Sequence, residues 1–410
     1  MTDQTHITRR NLCIGSASLG LLALTAGVWR YAPPRARELF ISAQGDKPET
    51  FGLAWVDVNN LDAHNPRAQN LPAFFRGHGT AHNPVATHKV VMLARHPGNE
   101  AIEIDLNQNR ILARFSCVTE SYFEGHGCYS ADGLRLFTSE THRQTGVGSI
   151  GIYDTKNWKK LGQMDSFGIE PHELKLMPDG FTLVVANGGL GYSNTSLGYS
   201  NASERTPNNL ASMDSNLSYI DSRSGTLLEQ VRLTQVPNPT EFSAEALSKA
   251  SLRHIDIAAD GQVAVAMQVQ RDAIADKTIV PLAALHRRGE ALQLLAHPMP
   301  VIAQLQDYMG SVAINSAAGV AGFTSPHGDL AVFWHLVSGI FAGYHELHDA
   351  CGIAVSGDQE HFVLSNSAGQ LRFIHALTLQ ENPQRRLAFA GLHWDNHLSI
   401  ISTRPPVSAA

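Results

Sequence analysis

The sequence predicts an all-β protein, a seven-bladed β-propeller of four-stranded blades. Three observations lead there. A histidine-led strand phrase recurs along the chain, its recurrences are spaced by about one blade, and the segments between them carry strand patterning with almost no helical periodicity. The clearest copy is Phe123-Glu124-Gly125-His126-Gly127-Cys128-Tyr129, running to an Asp132-Gly133 turn. It returns as Glu170-Pro171-His172, running to Asp179-Gly180, and as Arg253-His254-Ile255, running to Asp260-Gly261. An earlier copy is Arg76-Gly77-His78-Gly79, and a terminal one is Leu392-His393-Trp394-Asp395-Asn396-His397. Starts at 78, 126 and 172 lie 48 and 46 residues apart, and those near 309, 350 and 393 lie 41 and 43 apart. Four-stranded blades need about 40–50 residues.

Taken in order, the first complete blade reads His78, then Lys89 to Ala94, Ala101 to Asp105 and Ile111 to Phe115. The second reads His126 to Ser130, Arg135 to Ser139, Gly148 to Asp154 and Lys160 to Asp165. The third gives His172, Phe181 to Ala186, Leu217 to Asp221 and Leu227 to Leu233. Its interval stretches to 82 residues because a Ser/Asn/Gly-rich insertion from Gly188 to Asn216, with a doubled Gly-Tyr-Ser-Asn, reads as a surface loop. The fourth runs from His254 through Val263 to Gln268, Pro281 to Leu285 and Leu292 to Leu295. The fifth begins near Met309, and the sixth at Asp349-Ala350-Cys351-Gly352. What remains is His393 to Ser402 at one end and Leu39 to Ala43, Phe51 to Asp57 and Leu71 to Phe75 at the other. One C-terminal strand and three N-terminal ones complete a seventh blade.

Ahead of these strands, Thr8-Arg9-Arg10-Asn11-Leu12-Cys13 precedes an apolar run from Ile14 to about Trp29, which resembles a twin-arginine leader. Gly15, Ser16, Ser18, Gly20, Thr25 and Gly27 dilute the run, and it is short for a permanent span. The expected organisation is an export signal and linker over 1–38, a propeller over 39–403 and a tail over 404–410. The expected location is the periplasm, with no stable membrane span after export.

Composition removes several functional classes. A net charge of −6 with no basic run beyond the leader argues against nucleic acid as a partner. Four cysteines without a Cys-x-x-Cys pair exclude a disulfide framework and a zinc ribbon, and the absence of Cys-x-x-Cys-His excludes covalent haem. A Cys117–Cys128 bridge is left open. There is no Gly-x-Ser-x-Gly and no nucleotide-binding loop in a strand–helix context.

Twenty histidines need an explanation. In a propeller the first strand of each blade lines the central channel, and His78, His126, His172, His254, His348 and His393 lie in or beside such segments. Glu124 and Glu170 stand two positions ahead of His126 and His172. Neutral imidazoles, nearby carboxylates and a thiol at Cys351 form the candidate ligand set for a transition metal, iron or copper. The competing reading is that strand-initial histidines donate to carbonyls at the channel rim. His88, His96, His286, His297, His335 and His375 read as packing or solvated, and Asp132, Asp179 and Asp260 as turn formers.

Several phrases taken together carry a resemblance: the twin-arginine leader, Arg76-Gly77-His78-Gly79, Glu124-Gly125-His126-Gly127, Glu170-Pro171-His172-Glu173, Ala186-Asn187-Gly188-Gly189, Arg253-His254, Asp349-Ala350-Cys351-Gly352 and Trp394-Asp395-Asn396-His397. Over about residues 39–403 the chain resembles a family of exported bacterial propellers encoded beside imelysin-type iron-uptake proteins and a di-haem peroxidase-like partner. The resemblance implies a periplasmic role linked to iron acquisition, with those proteins as partners and no reaction assigned. The long 188–216 insertion departs from the family pattern. The other functions to weigh are a metal-assisted hydrolase of lactonase type and a scaffold that docks imelysin-type or haem-protein partners.

Overall fold

The structure, a computed structural model, describes residues 37–402 except 62–65, 193–206, 237–242, 275–279 and 297. The leader, the tail from 403, His297 and most of the doubled Gly-Tyr-Ser-Asn lie outside these residues. Among the described residues, 28 strands form seven four-stranded antiparallel sheets, β1 to β28 in chain order. One sheet unites both ends of the chain. In it β28 (Ser399–Ser402) pairs with β1 (Glu38–Gln44), followed by β2 (Gly52–Asp57) and β3 (Gln69–Pro72). The predicted closure is observed.

Six further strands join β28 on the inner edge of their sheets. They are β4 (Gly77–His82), β8 (Ser121–Tyr129), β12 (Pro171–Leu176), β16 (Ala250–Ile257), β20 (Ser311–Asn315) and β24 (Ala350–Val355). The second strand of each blade is packed on both faces by neighbouring blades, so it is buried along most of its length, and several read as apolar runs without alternation. β17 (Val263–Val269) reads Val-Ala-Val-Ala-Met-Gln-Val and is buried at all but one position. Outer strands face water on one side and read polar, as β11 (Lys160–Ile169) does. Each fully buried Val, Leu, Ile or Phe contributes about 1.5–3 kcal/mol. The apolar clusters bridge successive blades, as where Leu252, Val265, Val312 and Phe323 share one core.

The Asp-Gly turns are structural, as expected. Asp132 accepts from the Leu134 amide at 3.0 Å and Asp179 from Phe181 at 2.9 Å, while Gly133 and Gly180 take the left-handed conformation that follows. Two short helices, α1 (Ala244–Leu247) and α2 (Met299–Gln304), lie between blades. Among the described residues no helix is long and apolar enough to cross a membrane.

Candidate metal centre

The inner strands are not regular where they reach the axis. Pairing between β4 and β5 (Lys89–Ala94) slips between Gly77 and Thr80, and that between β8 and β9 (Arg135–His142) slips between Phe123 and Gly127. β12 slips across His172 and β16 across Arg253. A bulge bends its strand and re-aims a side chain, so these irregularities turn histidines into the channel. Glycines make room for them. A Cβ on Gly79 would lie 2.8 Å from His126 Nδ1, and one on Gly125, at φ +103°, would lie 2.6 Å from His78 Cδ2.

Five imidazoles meet there: His78, His126, His172, His254 and His397. Neighbouring rings around the circle are 4.8 Å apart for His78–His126, 5.4 Å for His126–His172, 4.7 Å for His172–His254, 4.5 Å for His254–His397 and 4.6 Å for His397–His78. His126 is the hub, also 5.4 Å from His254 and 4.8 Å from His397. Ligand atoms of His126, His172 and His254 lie within 4.8 Å of one another, as do those of His78, His126 and His397. Burial drives the pKa of all five rings well below the ordinary histidine value, so they are neutral and their lone pairs are available. His126 Nε2 is buried and, among the described residues, has no hydrogen-bond partner, a polar atom that an ion would satisfy.

Around the rings lies a charged layer. Glu173 Oε2 accepts from His254 Nδ1 at 3.2 Å, and its other oxygen lies 3.9 Å from His126 Nδ1. A carboxylate behind a histidine in this way orients it as a ligand. Arg253 donates to His172 Nδ1 at 3.2 Å and pairs with Glu170 at 3.0 Å. Burial works against the Arg253 charge, and Glu170 together with Tyr192 and Tyr308 more than offsets it. Glu124 accepts from His96 Nδ1 and from the Thr141 hydroxyl, both at 2.6 Å. Ligand atoms of Glu124, Glu170 and His172 also lie within 4.8 Å of one another. Gly188 lets this layer close, because a Cβ there would collide with the Glu170 carboxylate. A cavity of about 700 Å³, lined by Cys128, Lys175, Asp256 and Ser399 among others, runs to His126, His397 and Glu173.

Of the residues singled out in the sequence, His78, His126, His172 and His254 come together, with Glu124 and Glu170 beside His172. His393 does not join them. β28 begins only at Ser399, so the axis-facing position falls on His397, while the chain at 393–395 is held against β1: Gly45 donates to the His393 carbonyl at 2.9 Å and Trp394 bridges to Gln44. Cys351 stands at a bulge of β24 but turns away from the rings. Its Sγ faces the carbonyls of Asp395 at 3.3 Å and Ser365 at 3.5 Å, and burial pushes its thiol pKa up. It lies outside the groups of close ligand atoms among the described residues. His348 is at the surface, paired with Asp329 at 3.1 Å. Cys117 and Cys128 are free thiols, which removes the bridge left open between them. His96, read as packing or solvated, is packed: its ring lies 4.4 Å from that of Tyr122, and it is also hydrogen-bonded to Glu124. Glu173 stands in the Glu170-Pro171-His172-Glu173 phrase, but only the fold brings His254, 81 residues on, to its side chain.

Comparison with known proteins adds the family. A model described as a protein of unknown function, DUF1513, matches residues 70–401. The chain belongs to that family. No curated protein matches this DUF1513 chain. Among solved structures it is similar to hydrazine synthase of Kuenenia stuttgartiensis, at 11% identity and a TM-score of 0.55, over 83% of this chain and 90% of that one. At that identity the likeness speaks for the propeller fold alone.

Proposed function

We propose that this DUF1513 protein is a periplasmic propeller that binds a transition-metal ion through its channel histidines and serves as an accessory to iron uptake. The observation that carries the metal is the meeting of five neutral imidazoles from five blades around a His126 nitrogen that has no hydrogen-bond partner among the described residues. Imidazole-rich sites suit iron, copper, zinc and nickel. Among the described residues no thiol with a lowered pKa competes with them, since burial raises all three and holds Cys128 up at about 12. Iron, export and partnership with imelysin-type or di-haem peroxidase-like proteins rest on the leader and the family phrases. Elemental analysis of protein exported by its native host tests the reading: one ion per chain is expected, lost when His126→Ala and His254→Ala are combined. Metal-free wild-type protein, or unchanged metal in the double variant, overturns it.

The cavity favours a second reading, a metal-assisted hydrolase, because it gives a small molecule access to His126 and His397. Turnover of lactones or esters that a chelator abolishes would establish that reading over a purely binding role.

A further inference from the structure

The five rings divide into two kinds, and their charged neighbours divide them. A guanidinium has no acceptor, so a ring nitrogen facing it must offer a lone pair; a carboxylate demands a proton instead. Arg253 stands 3.2 Å from His172 Nδ1 and Arg95 stands 3.5 Å from His78 Nδ1. Both rings face a guanidinium through Nδ1, which has to accept, and therefore carry their proton on Nε2. Glu173 accepts from His254 Nδ1 at 3.2 Å, and its charge 3.9 Å from His126 Nδ1 favours a proton on that nitrogen too, so the Nε2 of both rings is left bare. His78 Nε2 lies 3.3 Å from His397 Nε2. The proton there belongs to His78, which leaves His397 protonated on Nδ1, 3.3 Å from the Ser311 hydroxyl.

Taken at Nε2, each close triad thus holds two bare nitrogens and one N–H. In His126, His172 and His254 the N–H is that of His172; in His78, His126 and His397 it is that of His78. In both, the donor is the ring with an arginine behind it. We infer that the ion is held by His126, His254 and His397, and that His78 and His172 donate hydrogen bonds to a small anion carried as the ion's remaining ligand. This rests on the metal-binding reading and refines it: the site takes a metal–anion unit, not an ion caged by five imidazoles. Three imidazoles leave a coordination position open. Arg95 and Arg253 supply positive charge behind the donors, and the cavity gives the anion a route to His126 and His397.

Nitrogen NMR of the full chain labelled with ¹⁵N-histidine reads the division before any metal is added. His78 and His172 should be protonated on Nε2, and His126, His254 and His397 on Nδ1; the opposite tautomer at His126 or His172 overturns the inference. The protein is then loaded with Co²⁺ and titrated with azide. His172→Gln should still take up one Co²⁺ per chain, because Gln removes a donor to the anion and not a ligand to the ion. His172→Leu should keep the ion but bind azide about tenfold more weakly, the loss of one hydrogen bond to a charged group. Glu173→Gln should weaken Co²⁺ binding about 10–100-fold. Loss of Co²⁺ from a His172→Gln protein that melts like wild type overturns the ligand assignment and leaves metal binding standing. Azide bound equally well by His172→Leu overturns the donor role. X-ray absorption of the loaded wild type needs no variant: three imidazoles are expected, and five overturn the inference. Wild-type protein that takes up no Co²⁺ overturns it together with the reading beneath it.

Discussion

Arg76 and Asp395 are 319 residues apart in the chain, yet the Arg76 guanidinium donates to the Asp395 carboxylate at 2.8 Å. The same carboxylate, almost wholly buried, also accepts from Arg95 at 3.3 Å. The pair ties the first histidine-bearing blade to the segment that closes the ring. Asp395→Asn leaves two arginines without their counter-charge beside His78. Removing one partner of a buried pair costs about 3–5 kcal/mol. Exposure of Arg76 places the expected loss at the lower end, about 3 kcal/mol, read as a fall in the urea midpoint. A midpoint equal to wild type would show that the ring closes without this pair.

Gly125 has φ +103°, and a Cβ there would lie 2.6 Å from His78. Gly125→Ala should cost about 1–3 kcal/mol in backbone strain and displace the His78 ring. Among the described residues nothing lies within 4 Å of a Cβ added to Gly162, on β11, which serves as the control. Gly162→Ala should stay within about 0.5 kcal/mol of wild type. Equal effects of the two substitutions would remove the steric argument for the glycines around His78 and His126.

Saturation with the bound ion should raise stability, because the ion binds the folded chain. At a free concentration one hundred times Kd the gain is about 2.7 kcal/mol, reversed by chelator. The same titration on the His126→Ala, His254→Ala protein should leave the melting temperature where it was. A gain that survives in that double variant would place the ion elsewhere.

His286 gives a pH dependence away from the channel. Its Nδ1 accepts from the Tyr219 hydroxyl at 2.5 Å and its Nε2 donates to the Glu290 carbonyl at 2.9 Å. Burial lowers its pKa below the ordinary value of 6.5. The unfolded chain therefore binds a proton on this ring that the folded chain does not, at any pH between the folded pKa and about 6.5. Stability from His286 is full above about 6.5 and falls by up to about 1.4 kcal/mol per pH unit below it. The stability gap between wild type and His286→Gln should be widest near pH 7.5 and narrow toward pH 5. A gap that widens on acidification would mean that the ring is protonated in the fold.

Burial holds Cys117 and Cys128 at about 12, and it raises Cys351 as well. Only the thiolate reacts. The three propeller cysteines should resist a disulfide reagent at pH 8 and label together on unfolding. Fast labelling of Cys128, which lines the cavity, would contradict its raised pKa.

Much of this protein was legible in one dimension. Strand period, Asp-Gly turns and the blade-length recurrence of a histidine phrase follow from local sterics and from burying one strand after another, and they lead to seven blades closed by β28 on β1. The bulged strands at His78, His126, His172 and His254 carried their own signal, glycines flanking a histidine or an arginine or proline before it. What only the tertiary structure decided is which side chains meet across blades. His397 in place of His393 depends on where β28 starts, Cys351 turns toward carbonyls instead of the axis, and Glu173 and Arg253 assign the protons of rings from neighbouring blades. Those contacts join residues tens to hundreds of positions apart, and no local pattern records them, because each depends on the angle at which whole sheets pack around a common axis.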